Sequence, residues 1–508
     1  MLKRILTVSG FTLLSRISGF ARDVLLAAIL GAGPIADAFF VALRLPNHFR
    51  AIFAEGAFNA AFVPAYARIR TQGGADPAKL FADRVFALLL ASQVLLLALA
   101  LVFTPGVITL LAPGFKDDPG RFALAVELTR ITFPYLLLVT LLTLYSGILN
   151  ALNRFATAAA APILLNLSMM VALALAAFFP TAGHAAAWGV LIAGFLEALL
   201  VGGDAWRNGV LPGLRWPSWD DDIKRFFKAL VPATIGSAGV QIALFADTIL
   251  ATFLATGALS ALYYADRISQ LPIGVIGIAV GTVILPEMTR RIASRDEAGA
   301  RHAQNRAVEL TLMLSVPCMV AFLLVPELIM RALFARGAFT AADAAAAGQT
   351  LAAYALGLFP FVLIRTATAT FLARGDTATP VKASLIGVAA NVALKFLLIG
   401  SLAQVGLALA TAIGAWINLL LVLWFAWRAG FAALDPALKR SLVGFAAAGA
   451  ALAVAVYAGD VTTTRWFAPA MPFRDEIRLA LLAALGLVVY GGAIALLFGR
   501  RIRTMFRT

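Results

Sequence analysis

The chain has 508 residues, of which 62% are hydrophobic and only 13% charged, and its formal net charge is +15. That balance excludes a soluble globular protein, and in a membrane protein an excess of Lys and Arg reads as the positive-inside bias rather than as a nucleic-acid surface. The single cysteine, Cys318, excludes a disulfide framework and a cysteine-ligated metal cluster.

Apolar runs of 17 residues or more recur along the chain, as at 85–112 and 384–400. They are continuously apolar, without the in–out alternation of barrel strands, so they predict membrane-spanning helices. The first, after Lys3 and Arg4, resembles a signal peptide but is followed by no small-residue cleavage site, and it reads as a retained helix. Fourteen helices are expected, at 5–30, 34–66, 85–112, 122–149, 157–179, 185–205, 226–256, 261–289, 307–334, 345–373, 380–400, 404–427, 440–458 and 476–498. Pro and Gly mark their ends, as at Gly31-Ala32-Gly33-Pro34, Ala112-Pro113-Gly114, Phe179-Pro180 and Asp435-Pro436.

Charge asymmetry orients this array. With the N-terminus in the cytoplasm, 26 of the 41 Lys and Arg fall in cytoplasmic segments, seven fall outside, and eight lie within helices. Fourteen alternations keep that bias, so both termini are expected in the cytoplasm of a multi-pass inner-membrane protein. The largest loops, 206–225 and 459–475, are too short to fold alone, which puts the chemistry inside the bundle.

A weak internal repeat relates 38–64 to 261–286: an aromatic pair precedes Arg44 and Arg267, and Pro64 and Pro286 close the two segments. These are helices 2 and 8, six apart. The expected organisation is all-α with two pseudo-symmetric six-helix lobes, an N-lobe at 1–206 and a C-lobe at 207–428. Helices 13 and 14 and a basic cytoplasmic tail occupy 429–508. Internal repeats with a site at their interface are characteristic of secondary transporters.

The first two helices carry Arg16, Arg22, Arg44 and Arg50 in largely apolar sequence, with Asp23, Asp37 and Glu55 among them. An Arg at the bilayer centre costs about 3 kcal/mol even on the lenient insertion scale, so such residues mark a wet cavity. Members of each Arg pair, six residues apart, project about 120° from one another on a straight helix. A bend at Ser18-Gly19 or at Pro46-Asn47 would bring them to one side. The blander reading is local neutralisation, Arg22 by Asp23 and Arg50 by Glu55, or snorkelling to an interface. Arg267 is the counterpart from the second half, with Asp266 or Asp37 as a structural partner. The planar guanidinium fork suits phosphate better than lysine does, so an anionic headgroup is the favoured ligand.

Asp247, Asn391, Lys395 and Thr411 form a second polar set. Mutual neutralisation of Asp247 and Lys395 is the simpler reading, and a cation or proton coupling site is the alternative. The Lys395 ammonium argues against sodium there. Arg130, Glu127 and Glu197 read as inter-helix pairs. His48, His184 and His302 are isolated, so no metal is expected, and no Walker loop, dinucleotide fingerprint or nucleophile elbow occurs, so no cofactor is expected either.

At these residues the chain resembles the MurJ (MviN) family of lipid II flippases within the multidrug/oligosaccharidyl-lipid/polysaccharide exporter superfamily. The resemblance rests on Ser15-Arg16-Ile17-Ser18-Gly19-Phe20-Ala21-Arg22-Asp23, Gly31-Ala32-Gly33, Asp37-Ala38-Phe39-Phe40, Leu45-Pro46-Asn47 and Ile52-Phe53-Ala54-Glu55-Gly56-Ala57-Phe58. Ala112-Pro113-Gly114-Phe115, Ile131-Thr132-Phe133-Pro134-Tyr135, Asn150 with Asn153-Arg154-Phe155, Tyr263-Tyr264-Ala265-Asp266-Arg267 and Thr379-Pro380-Val381-Lys382 extend it. It implies two six-helix lobes around a central cavity and, as substrate, an undecaprenyl-pyrophosphate-linked disaccharide pentapeptide, lipid II. It carries the family's cavity arginines onto Arg16, Arg22, Arg50 and Arg267, with Asp37 beside them and Arg44 where some members have lysine. Lys395 departs from an acidic residue at a position where some members bind a cation. Lipid II and membrane lipids are the expected partners, with peptidoglycan-synthesis enzymes as further ones and no nucleic acid. The expected activity is transport by alternating access, not catalysis. Rival readings are a superfamily exporter of other lipid-linked oligosaccharides or drugs, a lipid-linked glycosyltransferase or ligase, and a scaffold.

Overall fold

The computed structural model describes residues 2–50, 58–216 and 218–505, and among these every regular element is helical. The helices are α1 (Leu2–Leu30), α2 (Pro34–Phe49), α3 (Phe58–Gly73), α4 (Ala75–Val102), α5 (Thr104–Leu111), α6 (Pro119–Thr132), α7 (Pro134–Ala151), α8 (Ala156–Ala174) and α9 (Ala182–Arg207). After them come α10 (Asp221–Ala251), α11 (Ala258–Ala293), α12 (Glu297–Leu324), α13 (Pro326–Phe334), α14 (Ala341–Ala355), α15 (Leu358–Leu372), α16 (Ala378–Arg428), α17 (Pro436–Trp466) and α18 (Arg474–Met505). Nine stretches among the described residues are long and apolar enough to cross a membrane. The segment 51–57, which holds Glu55, lies outside the described residues, so the expected helix 34–66 is seen only as α2 and α3.

Proline, as expected from the sequence, and capping side chains decide the ends. Pro34 and Pro436 each open a helix, where the missing N–H costs nothing. Asp118, Thr181, Asp220, Asp296 and Asp435 accept backbone N–H groups at N-caps, and Thr340 with Asp343 makes a capping box. Several expected helices are interrupted. The one predicted at 122–149 breaks at Phe133 before Pro134, that at 307–334 breaks at Val325 before Pro326, and that at 345–373 breaks at Leu356-Gly357. Ala403, with φ 48° and ψ −129°, divides α16 between the helices predicted at 380–400 and 404–427.

The chain forms two compact units, one of residues 1–260 with 336–339, the other of 261–335 with 340–508. In the first, α3, α4, α7 and α10 enclose an aromatic core. Phe62 stacks on Phe58, Tyr66 and Phe81 at 5.1, 5.7 and 5.6 Å, and Phe226 meets it edge-on at 6.2 Å. α8 packs between α1 and α9, where Gly189 leaves room for Met169. The tetrapeptide 336–339 joins this unit through backbone: the Ala338 N–H donates to the Ala28 carbonyl at 2.7 Å. Gly31 and Gly337 sit at φ +66° and +60°, where a side chain would meet Ala338 and Ala28 respectively.

In the second unit, α11 packs on α12 and α15 through Ile276, Val280, Ile284, Ala307 and Val362. The two halves of α16 cross where Gly387 and Gly414 bring backbones together. α17 and α18 are tied to α12 and α13 at both ends. At one end Arg306 pairs with Glu309 and with Asp435 at 2.9 Å, while Ser441 donates to Glu309 at 2.6 Å. At the other, Asp475 takes Arg331 at 2.9 Å and Arg478 at 3.5 Å.

Candidate functional site

α1 and α2 present the sequence-predicted cations. Around Arg22 the structure builds a polar network inside an apolar helix pair. Its Nε and Nη2 donate to Asp23 Oδ1 at 3.0 and 2.7 Å, and its Nη1 donates to Asn166 Oδ1 on α8 at 3.0 Å. Asn166 is itself held, because its Nδ2 donates to the Ser15 carbonyl and to Ser18 Oγ, both at 2.9 Å. Gly19 provides the room: a Cβ there would lie 3.5 Å from the Asn166 amide. Asp23 and Asn166 are buried, and the Arg22 side chain keeps 11% of its surface. The guanidinium is therefore aimed by two helices.

Arg16 is exposed on α1 and Arg44 half-exposed on α2, and neither has an acidic partner among the described residues. Arg50 follows the end of α2 and lies close enough to act electrostatically on Glu197 of α9, which also accepts from the Tyr135 hydroxyl at 3.4 Å. Glu197 thus faces Arg50 and the α7 side chain Tyr135, while Glu127 meets His184 at 3.3 Å. The possible pairing of Arg50 with Glu55 falls outside the described residues. His48 bonds through Nδ1 to Gln241 Oε1 at 2.8 Å and lies against Phe245, a contact from α2 to α10.

Asp37 has a different setting. It is 1% exposed, and its carboxylate accepts from the N–H of Gly257 at 2.8 Å and from both the N–H and Oγ of Ser260, at 3.1 and 2.7 Å. Arg121 stands 3.6 Å away. Asp37 therefore caps the start of α11 from α2, satisfying N–H groups that a helix terminus leaves open. Arg121, in the first turn of α6, is 9% exposed and sits over the Phe115 ring at 4.2 Å.

Arg267 belongs to the second unit, where its guanidinium lies 4.7 Å over the Tyr263 ring. The second polar set is divided between the units: Asp247 is on α10 of the first, and Asn391, Lys395 and Thr411 are on α16 of the second. Lys395 is fully buried one turn after Asn391. Asn391 packs on Gly414, and Thr411 donates its hydroxyl to the Leu407 carbonyl at 3.0 Å. Sequence reasoning missed Asn166, Gln241 and Tyr135. Asn166 had a signal, being the lone amide in the apolar run Pro162–Met170.

A helical array of this kind, with cations on its first helices, has solved counterparts among transporters. A structure described as lipid II flippase MurJ in an inward closed conformation covers 97% of this chain and 99% of its own, with TM-score 0.83 at 24% identity. An inward-facing MATE-family multidrug resistance transporter of the MOP superfamily covers 86% of this chain and 99% of its own, with TM-score 0.69 at 14% identity. The fold is thus the one that these two structures share.

Sequence comparison narrows the class. The family model "Lipid II flippase MurJ" matches residues 26–474. A "Probable lipid II flippase MurJ" of Rhizobium meliloti is 40% identical, over 98% of this chain and 94% of that one, and the "Lipid II flippase MurJ" of Burkholderia cenocepacia is 32% identical over 90% and 89%. The chain belongs to the MurJ family of lipid II flippases.

Proposed function

We propose that this protein carries lipid II from the cytoplasmic to the outer leaflet of the bacterial inner membrane by alternating access. In this reading fourteen spans, with both termini cytoplasmic, form lobes at 1–206 and 207–428 and a further pair within 429–508. Arg16, Arg22, Arg44 and Arg50 act with Arg267 on the pyrophosphate while the polyprenyl tail stays in lipid. Family membership supports the substrate. The geometric observation that carries the arginine assignment is the Arg22 network, which holds a guanidinium in a defined direction inside a membrane helix pair.

The chemistry follows from charge and shape. Guanidinium N–H groups match phosphate oxygens in pairs, and a low-dielectric setting strengthens each contact. Arg16 and Arg44 bring positive charge that no described acid neutralises. Asp37, occupied by backbone donors, serves the frame that carries Arg44 and Arg50. On α16, Lys395 supplies a fixed positive charge beside Asn391, a setting for coupling without a sodium ion.

The test is lipid II translocation in proteoliposomes, with complementation of flippase-depleted cells. Arg22→Ala is expected to abolish both while the protein still reaches the membrane. Full activity of that variant would remove the arginine clamp from the reading.

A further inference from the structure

The segment between α9 and α10 combines firm anchoring with exposed aromatic surface. Buried Asp83 of α4 accepts the Gly213 N–H at 2.8 Å and lies 3.8 Å from Arg215. Arg84 pairs with Asp220, the N-cap of α10, and Arg68 pairs with Asp222 at 2.7 Å. Pro212 is buried, and Ile223 and Phe226 enter the aromatic core of the first unit. Yet Leu214, Trp216 and Trp219 are 75%, 91% and 63% exposed. A loop pinned this firmly cannot fold those side chains away from solvent.

The exposed face of α9 says what covers them. Trp188, Ile192, Phe195, Leu199 and Trp206 recur at helical spacing and are all exposed, forming one apolar stripe. Its two tryptophans are 18 residues apart, about 27 Å along a helix, close to the ~30 Å of a bilayer's hydrocarbon core. Tryptophan belts mark both edges of that core. Trp206 thus sets the level of one membrane interface, and the loop begins two residues later. Asp204, Asp220, Asp221 and Asp222 are each within 3.7 Å of a basic partner, and exposed Arg207, Arg225 and Lys228 have no acidic partner among the described residues.

We infer that the link between α9 and α10 carries an interfacial membrane anchor: Leu214, Trp216 and Trp219 lie in the headgroup layer, and Arg207, Arg225 and Lys228 contact anionic lipid headgroups. Each such cation near a charged leaflet contributes attraction that salt screens. The anchor fixes the depth of the link between α9 and α10 and does not depend on which lipid the protein transports.

The experiment places one cysteine at a time, Leu214→Cys or Trp216→Cys, in a Cys318→Ser background. Each is labelled with a polarity-sensitive fluorophore and reconstituted in nanodiscs with or without phosphatidylglycerol. Leu199→Cys is the lipid-facing control and Gln72→Cys the water-facing one. Labels at 214 and 216 are expected to emit to the blue of the label at 72, and to be quenched by nitroxide lipids at least half as strongly as the label at 199. Adding Arg225→Glu with Lys228→Glu is expected to halve that lipid quenching only when phosphatidylglycerol is present, with the label at 199 unchanged as the sign of an intact fold. Labels that iodide quenches as readily as the one at 72 overturn the inference. So do labels shielded from both iodide and lipid, since a protein surface then covers the loop.

Discussion

Arg22 on α1 and Asn166 on α8 are joined by a 3.0 Å hydrogen bond, and the asparagine amide is anchored in turn by the Ser15 carbonyl and Ser18 hydroxyl. The asparagine therefore sets the direction of the cation without changing its charge. Asn166→Leu is expected to leave the protein folded but lower lipid II transport by about ten-fold or more, since a hydrogen bond to a charged group contributes about 1.5–3 kcal/mol. Arg22→Lys should be similarly impaired, because one ammonium cannot reach Asp23 and Asn166 in the same fixed fork. Transport measured in proteoliposomes at matched protein levels checks both. Wild-type rates in Asn166→Leu would show that the bond is incidental.

Asp37 separates framework from ligand site. Its carboxylate holds two backbone N–H groups and a hydroxyl at the start of α11, with Arg121 nearby. Asp37→Ala is expected to lower stability in detergent melting by about 1–3 kcal/mol or more, the scale of buried N–H groups left without an acceptor, since Arg121 keeps Asp118 at 3.7 Å. The lipid II affinity of the remaining folded Asp37→Ala protein should stay unchanged, whereas Arg22→Ala should lose affinity as well as the stability that its 2.7 Å pair with buried Asp23 contributes. A binding measurement beside a melting curve on each variant distinguishes the two roles.

The contrast between these residues shows what sequence can carry. Apolar runs and prolines located most helices, because hydropathy and a missing N–H act locally. The breaks at Phe133 and Val325 were missed, although Pro134 and Pro326 follow them, because the runs stay apolar across both. Charges at membrane depth made Arg22 a candidate by cost alone. That Asp37 serves α11 and that Asn166 orients Arg22 depend on residues 220 and 144 positions away, and no local pattern encodes such contacts.

Gly31 and Gly337 are matched. Both have positive φ, and a Cβ on Gly31 would sit 2.5 Å from the Ala338 carbonyl oxygen. Left-handed backbone costs an L-residue about 1–2 kcal/mol before any clash. Gly31→Ala and Gly337→Ala should each destabilise the protein by at least that amount, read as a lower midpoint in detergent melting. The double variant should cost less than the sum of the two, because one displacement of 336–339 relieves both. Strict additivity would mean that the two glycines act separately.

Asp435 tests the attachment of α17. It caps that helix through the Leu438 N–H at 2.6 Å and takes Arg306 of α12 on both oxygens at 2.9 Å. Burial pushes its carboxyl up, but the Leu438 N–H and the Arg306 guanidinium outweigh burial and hold it below the usual carboxylate value. A carboxyl held low contributes stability that is complete above its unfolded value, about 3.9, and is lost as pH falls through the lower folded one. Neutral and mildly acid buffers therefore leave this tie intact, and substitution tests it under those conditions. Asp435→Ala is expected to cost about 1 kcal/mol for the cap alone. It should also raise hydrogen exchange over Leu438–Ser441 while α18 near Tyr490, bonded to the Met313 carbonyl at 2.8 Å, stays protected. Exchange rising equally along α17 and α18 would instead show that this one carboxylate holds the whole pair against α12.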